Sequence, residues 1–272
     1  MLKRDGRELA RRHDERVLKA LHKFAWLRTR DLAALLWMPR LRATGYFEPA
    51  VIAVPATARR MAQRTLERLR KQREVIWIKA PDGSRIYGLS ESGARHLISM
   101  GVPAKSGKDH TRRVSLSHYH HRRLSNELAI CALLQGFRAS SEHEIATGEW
   151  LGGKEGVQGK KPDVVVRFGT TVVFCEIERS RRNFRDHEKF VTWLSAMWPS
   201  GRRADKPADL PEGHKLHNVL LVANAAFVER LTADMRSAGW TEQMIATRIK
   251  SVKSLYVTEE KLIVYEGNSG RG

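Results

Sequence analysis

Apolar residues recur at helical spacing over residues 7–23, where Leu9, Val17, Leu18, Leu21 and then Phe24 stand between charged positions. Thr29 before Arg30-Asp31-Leu32-Ala33-Ala34-Leu35-Leu36 predicts a short, capped second helix. The stretch 38–56 holds Pro39, Gly45, Pro49 and Pro55 and is predicted to be a loop or insertion. Thr57 is a candidate cap for a third helix. Met61, Leu66, Leu69 and Val75 form its apolar side, and Arg59, Arg60, Arg64, Arg68, Arg70 and Lys71 its other face. Two β-rich runs, Val75–Ile78 and Arg85–Leu89, flank Pro81-Asp82-Gly83-Ser84, a turn in which Pro presets φ and Gly accepts a positive φ. Ser90 with Glu91 then opens a helix through Leu97.

The order helix, helix, basic helix, hairpin, helix is that of a winged helix-turn-helix, expected over residues 1–100. Residues 101–116, with Gly101, Pro103, Gly107 and several charges, are predicted to be a linker. A second domain is expected over 117–272. Its elements are a helix from Leu124 to Phe137, a strand at 143–147, a glycine-rich loop over 148–161, and strands at 164–168 and 171–177 joined at Gly169-Thr170. A helix at about 183–198, a buried strand Val219–Val222, a helix at about 226–238 and strands near 252–257 and 261–265 complete it. The expected fold class is α/β (α+β).

Charge narrows the partner. The chain of 272 residues carries 49 Lys and Arg against 30 Asp and Glu, a formal +19. Residues 1–115 hold 26 cations and 11 acids (+15), and residues 116–272 hold 23 and 19 (+4), so the excess gathers on the predicted winged helix. A field of that sign concentrates polyanions, and double-stranded DNA is the expected partner. Anionic membrane and a merely solubilising surface are the competing explanations. The basic helix suits the major groove, with Arg59, Arg60, Arg64, Arg68 and Lys71 as candidate DNA contacts and Lys79 and Arg85 beside the wing turn. A solvated face that touches nothing is the plainer alternative. The charged start has no apolar core of a secretory signal, and the longest near-apolar run, Val219–Val228, is too short to span a bilayer. A cytoplasmic protein with no membrane partner is expected. Cys131 and Cys175 sit far apart in apolar runs and read as core residues. Trp193 and Trp198 are also expected in the core.

Pro162-Asp163 and, after twelve intervening residues, Glu176-Ile177-Glu178 carry the candidate chemistry. Antiparallel pairing about the tight turn sets Asp163 beside Glu176, and strand alternation puts Glu178 on the face of Glu176. Carboxylates so placed can hold Mg²⁺, which polarises a phosphodiester and activates water. Glu127 on the preceding helix is a further candidate ligand. These motifs, after one helix and before the basic helix 183–198, resemble the PD-(D/E)xK nuclease superfamily. The resemblance implies metal ligation by Asp163 and Glu176. The position of the assisting lysine holds Glu178, a departure that some restriction endonucleases share, and Lys189 on the next helix is the candidate substitute. Together with Tyr87-Gly88-Leu89-Ser90-Glu91-Ser92-Gly93, the His-rich helix start His118–Asn126, and Phe174-Cys175-Glu176-Ile177-Glu178-Arg179, the series is similar to the replication-relaxation family of plasmids and integrative elements, over roughly residues 25–200. That resemblance implies a mobile-element protein assisting replication or mobilisation, with other proteins of that machinery as partners.

Two forms of the second domain stay open: a Mg²⁺-dependent nicking enzyme, or a non-catalytic scaffold that forms a homodimer or contacts DNA in an accessory or regulatory protein. Acids ending strands are often solvated or paired with neighbouring arginines. A third class, an HUH-type transesterase, rests on His118-Tyr119-His120-His121, but that motif belongs on a strand and here runs into a predicted helix. The glycine loop fails as a phosphate-binding P-loop, because Lys154 stands where glycine is required and Lys161 where Ser or Thr is.

Overall fold

The computed structural model describes residues 6–50, 52–112, 114–178, 184–199 and 206–252. The chain forms two compact units, one of residues 1–41 and 53–130, the other of 42–52 and 131–272. In the first, α1 (Gly6–Phe24) leads through β1 (Trp26–Arg28) into α2 (Thr29–Trp37). Then come α3 (Ala56–Lys71), β2 (Val75–Lys79), β3 (Arg85–Leu89), α4 (Glu91–Ser99), α5 (Lys108–Arg112) and most of α6 (Leu116–Leu134). The strands form an antiparallel sheet in the order β1-β3-β2, with Trp26 opposite Gly88 and Lys79 opposite Arg85.

The apolar stripes fix how these helices pack. Val17, Leu18, Leu21 and Phe24 of α1, Leu32 and Ala33 of α2, and Ala62, Leu66 and Leu69 of α3 are all essentially inaccessible to water. Burying a side chain of this size stabilises by about 1.5–3 kcal/mol. The hairpin turns at Gly83, whose φ of +82° favours a residue without Cβ. Gly93, in the first turn of α4, lets that helix approach the chain before β2: a Cβ there would lie 2.1 Å from the Glu74 carbonyl oxygen.

A buried charge cluster ties β1 and α2 to α6. Asp31 accepts from the Arg28 backbone N–H at 2.9 Å, capping α2, and its other oxygen takes Arg28 Nη2 at 2.7 Å. The Arg28 guanidinium also pairs with Glu127 of α6, as does Arg30 at 3.4 Å. The neighbouring Asn126 donates to the Trp26 carbonyl at 2.9 Å. The cap of α2 is therefore Arg28 with Asp31, not Thr29, and α3 begins at Ala56 after Pro55, one residue ahead of Thr57.

The second unit holds β4 (Arg138–Ser140), α7 (Glu142–Thr147), β5 (Val164–Phe168), β6 (Thr171–Glu178), α8 (Phe184–Met197), β7 (Ala208–Asp209), β8 (Lys215–Ala223), α9 (Ala225–Ser237), α10 (Glu242–Arg248) and β9 (Ile249–Val252). The sheet runs β4-β5-β6-β8-β7, and β9 also pairs with β8. β6 and β8 are parallel through the α8 crossover, as are β8 and β9, while β4, β5 and β6 pair antiparallel. The apolar runs Val164-Val165-Val166 and Val219-Leu220-Leu221-Val222 are buried, as central strands with both faces covered require. Phe174 of β6 stacks on Trp193 of α8, ring centroids 5.9 Å apart, and Trp193, Trp198 and both cysteines lie in the core as expected.

Several expectations change. Residues 143–147 are the helix α7, not a strand, because Ser141 and Glu144 form a reciprocal capping box and Gly148, φ +85°, ends it. The 101–116 segment, expected as a linker, contains α5 and packs on the first unit. Gly107 N–H donates to the Leu89 carbonyl at 2.9 Å, and Thr111 is buried. The unit boundary falls later than the expected one, inside α6, which starts at Leu116 and stops at Leu134, short of Phe137. The insertion 42–52 belongs to the second unit. Phe47 meets Phe137 edge-on at 5.6 Å, and Gln135 donates to the Glu48 carbonyl at 2.9 Å. The short strands β1 and β4 and the helix α10 were not predicted. The strands expected near 252–257 and 261–265 lie, beyond Val252, outside the described residues.

Breaking a buried ion pair leaves the other charge stranded, so Arg28→Met, which takes the shared guanidinium from both Asp31 and Glu127, is expected to lower stability by about 3–5 kcal/mol. Urea denaturation followed by circular dichroism measures it, and a loss below about 1 kcal/mol would contradict the role assigned to the cluster.

Candidate functional site

α3 divides its cations by where its apolar stripe turns them. Ala58, Ala62, Thr65, Leu66 and Leu69 are buried, while Arg59, Arg60, Arg64 and Lys71 are exposed. At about 100° per residue, Arg60, Lys71 and Arg64 fall within roughly 40° of one another on the solvent side. None of these four makes an ion pair among the described residues. Arg68 and Arg70 differ. Arg68 lies at the rim of the helix and binds Asp14 of α1 through Nη2 at 2.6 Å and Nε at 2.9 Å, so the expectation that it contacts DNA is corrected: it holds α3 against α1. Arg70 is paired along the helix with Glu67 at 2.9 Å.

The β2–β3 hairpin adds Lys79 and Arg85, exposed and directly opposite each other near its tip. Arg85 lies over the Trp77 ring, 4.5 Å from its centre. At the turn, Asp82 accepts from the Tyr119 hydroxyl and from Ser84 Oγ, each at 2.6 Å, and Arg123 stands 3.7 Å away. Tyr119 is fully buried, stacked on Trp26 at 5.5 Å, and burial pushes its hydroxyl up to about 12. The tip is thus tied to the start of α6. Tyr119 is engaged there, and the His118–His121 segment is helical, so the strand geometry of an HUH site is not formed.

In the second unit Val164 pairs with Cys175, and Asp163 N–H donates to the Cys175 carbonyl at 3.0 Å. This register sets Asp163 beside Glu176, as the spacing predicts. Asp163 Oδ2 accepts from Ile177 N–H at 2.7 Å. Glu176 is only 2% exposed, and its Oε2 binds Lys160 Nζ at 2.7 Å. The Lys160 ammonium also lies 5.5 Å from the centre of the Phe190 ring. Its backbone is held by paired hydrogen bonds with Val157, and Gly156, φ +80°, approaches so closely that a Cβ would meet the Lys160 carbonyl oxygen at 2.6 Å. Glu178 ends β6, buried, opposite Ala223 of β8.

Two expected members stand elsewhere. Lys189 is at the surface, its side chain 79% exposed and 3.8 Å from Asp186, and the lysine actually at Glu176 is Lys160. Glu127 belongs to the first unit, where burial pushes it up to about 7 against the pull of Arg28. Arg28 and Arg30 bind it, so its place is that of their partner and not in a metal set. Among the described residues no three His, Cys, Asp or Glu side chains are grouped to hold a metal ion. Lys160 and Lys189 line an open cleft of about 1410 Å³ between α8 and α9, with Arg185, Arg230, and a His187–Asp234 pair at 2.6 Å. The signal for Lys160 lies in the pair Lys160-Lys161 directly before Pro162-Asp163, inside the glycine-rich loop.

A model of the replication-relaxation family matches residues 18–192, from the middle of α1 into α8. The chain belongs to the replication-relaxation family. The matched span contains α3, the hairpin, Asp163, Glu176 and Lys160, and membership points to a role in the replication or relaxation of a plasmid or mobile element. No curated protein and no solved structure matches the chain. Among the described residues no helix is long and apolar enough to cross a membrane.

The two lysines are separable by experiment. Lys160→Met removes the ammonium paired with the buried Glu176 carboxylate and is expected to cost about 3–5 kcal/mol, whereas Lys189→Ala, at the surface, should stay within about 0.5 kcal/mol. Thermal and urea denaturation of both variants measures this; equal effects would contradict the pairing.

Proposed function

We propose that this protein binds duplex DNA of a plasmid or other mobile element through a winged-helix first unit, as an accessory factor in its replication or relaxation. On this reading α2 and α3 form the helix-turn-helix, α3 enters the major groove, and the β2–β3 hairpin is the wing. The observation that carries it is the solvent side of α3, where Arg60, Arg64 and Lys71 share one arc without an ion pair among the described residues. A helix face left cationic while the same helix spends Arg68 and Arg70 on internal pairs is suited to phosphates and guanine acceptors. Arg59, Lys79 and Arg85 supply flanking backbone contacts. A cytoplasmic protein acting beside other replication or mobilisation proteins, with homodimers to match a two-fold site, completes this reading.

A second reading, Mg²⁺-dependent nicking by a PD-(D/E)xK-like second unit, has the side-by-side pair Asp163 and Glu176 in its favour. Mg²⁺ commonly takes one or two carboxylates with water, so these two residues would hold it, and it would polarise a phosphodiester there. Against this, Glu176 is already neutralised by Lys160, which has to move before a cation enters. The accessory, non-catalytic form is therefore the better supported.

The triple variant Arg60→Ala, Arg64→Ala, Lys71→Ala should weaken duplex binding by orders of magnitude. It should also lower the slope of log K against log salt by about 0.9 for each phosphate that is no longer neutralised. Fluorescence anisotropy over a salt series measures both, and an unchanged slope would refute the groove assignment. On the second reading, supercoiled plasmid with Mg²⁺ is nicked by the native chain and not by Asp163→Ala; intact plasmid with both leaves the accessory role.

A further inference from the structure

The alternation of the hairpin puts Val75, Trp77 and Lys79 of β2 on one face with Arg85, Tyr87 and Leu89 of β3. Near the helices this face is core: Val75, Tyr87 and Leu89 are buried. Toward the tip it emerges into solvent, and Trp77 is 40% exposed beside Lys79 and Arg85. It emerges beside α3, which packs against β2, and the Arg85 charge helps hold Glu67 of that helix below its ordinary range, after the hydrogen bond from Arg70. An indole, a guanidinium stacked 4.5 Å above it and an ammonium directly across the ladder thus adjoin the cationic side of the helix.

A duplex has little use for an indole at this place, since its bases are stacked inside and its backbone calls for charge alone. An aromatic face with adjacent cations is the combination that holds unpaired nucleotides: the base stacks and the cations take the flanking phosphates. An arginine plane lying on the indole extends the surface, because guanidinium planes also receive bases. The hairpin is held ready for such a ligand by the hydrogen bond from buried Tyr119 to Asp82 at its tip, so little ordering cost remains on binding.

We propose that Trp77, with Arg85 stacked on it and Lys79 alongside, is a binding site for an unpaired nucleotide next to the duplex held by α3, so that the protein prefers DNA with a locally melted or mismatched segment. This rests on the duplex-binding reading of α3 and adds a second ligand class to it. The full chain is titrated by fluorescence anisotropy against a labelled duplex and against the same duplex with a central run of mismatched bases. The native protein is expected to favour the mismatched DNA by about fivefold or more, the worth of one stacked base. Trp77→Ala should bring that ratio close to one, and Trp77→Phe, which keeps an aromatic face, should retain most of it. Circular dichroism confirms that each variant is folded. Equal affinity of the native protein for both DNAs, or a ratio unmoved in Trp77→Ala, overturns the proposal while leaving duplex binding in place. Binding to neither DNA overturns the duplex reading and this proposal together.

Discussion

Arg28 takes its guanidinium out of water to bind Asp31 and Glu127, and the placement of the first unit follows from that pairing. Two buried carboxylates facing one buried guanidinium are costly to desolvate, and such a cluster stabilises only when its geometry is satisfied. Its usefulness lies in specificity. β1 is three residues long and cannot fix its own register, yet the Arg28 side chain at its end has one partner on α2 and one on α6. The Asn126 bond to the Trp26 carbonyl and the Tyr119 stack on Trp26 repeat the constraint on the turns of α6 before Glu127. α6 is thereby held along β1, and through Tyr119 and Asp82 it reaches the tip of the hairpin. The sheet that carries the wing-like hairpin is positioned by charge as much as by apolar burial.

The basic helix gains meaning from the cations it does not offer. Arg68 and Arg70 satisfy acids of the chain itself, and Arg68 does so across α1 with two nitrogens on one carboxylate, a geometry that a surface lysine could not reproduce. What remains, Arg59, Arg60, Arg64 and Lys71, has its side-chain charge in solvent, where like charges repel and, among the described residues, no ion pair forms. Such a face weakens the isolated protein slightly and is stabilised when a polyanion lies against it. On the proposed duplex-binding reading, the +15 of residues 1–115 acts over about one Debye length, near 8–10 Å at physiological salt, so it would gather DNA and orient it only through the few side chains at contact.

The sequence was most legible where periodicity and local chemistry agree. The α3 stripe, the Gly83 turn, the Ser90 cap and the β5–β6 hairpin that brings Asp163 to Glu176 each depend on residues close in the chain. It was least legible where a partner lies far along it. Nothing near Glu127 announces that Arg28, 99 residues away, binds it, so an acid on a helix passes as a metal ligand. Arg68 sits in a run of arginines that share composition, and only the direction of its side chain separates it from Arg64. The strand expected at 143–147 failed for the opposite reason: Ser141 and Glu144 are a local signal, outweighed by the short β-like run that follows. Lys160 was hidden by its loop, since glycine spacing says that a loop turns sharply but not which side chain it delivers.

What Lys160 does at Glu176 bears on the chemistry of the whole second unit. A carboxylate 2% exposed needs a cation, and a protein can supply one of its own or take a divalent ion from solution. Here Lys160 supplies it, braced by the Val157 hydrogen bonds and lying over the Phe190 ring, so the lysine is well held and not merely passing. In the nuclease arrangement that the sequence resembles, lysine stands beside the metal and assists water, and the acids remain open to the ion. In this chain the lysine at Glu176 comes from the loop ahead of Asp163, and Glu178 stands at the usual lysine position. A divalent ion and an ammonium would then compete for the same oxygen of Glu176. Whichever wins decides whether this sheet edge is a catalytic centre or the electrostatic brace of a scaffold, and the 2.7 Å contact favours the brace.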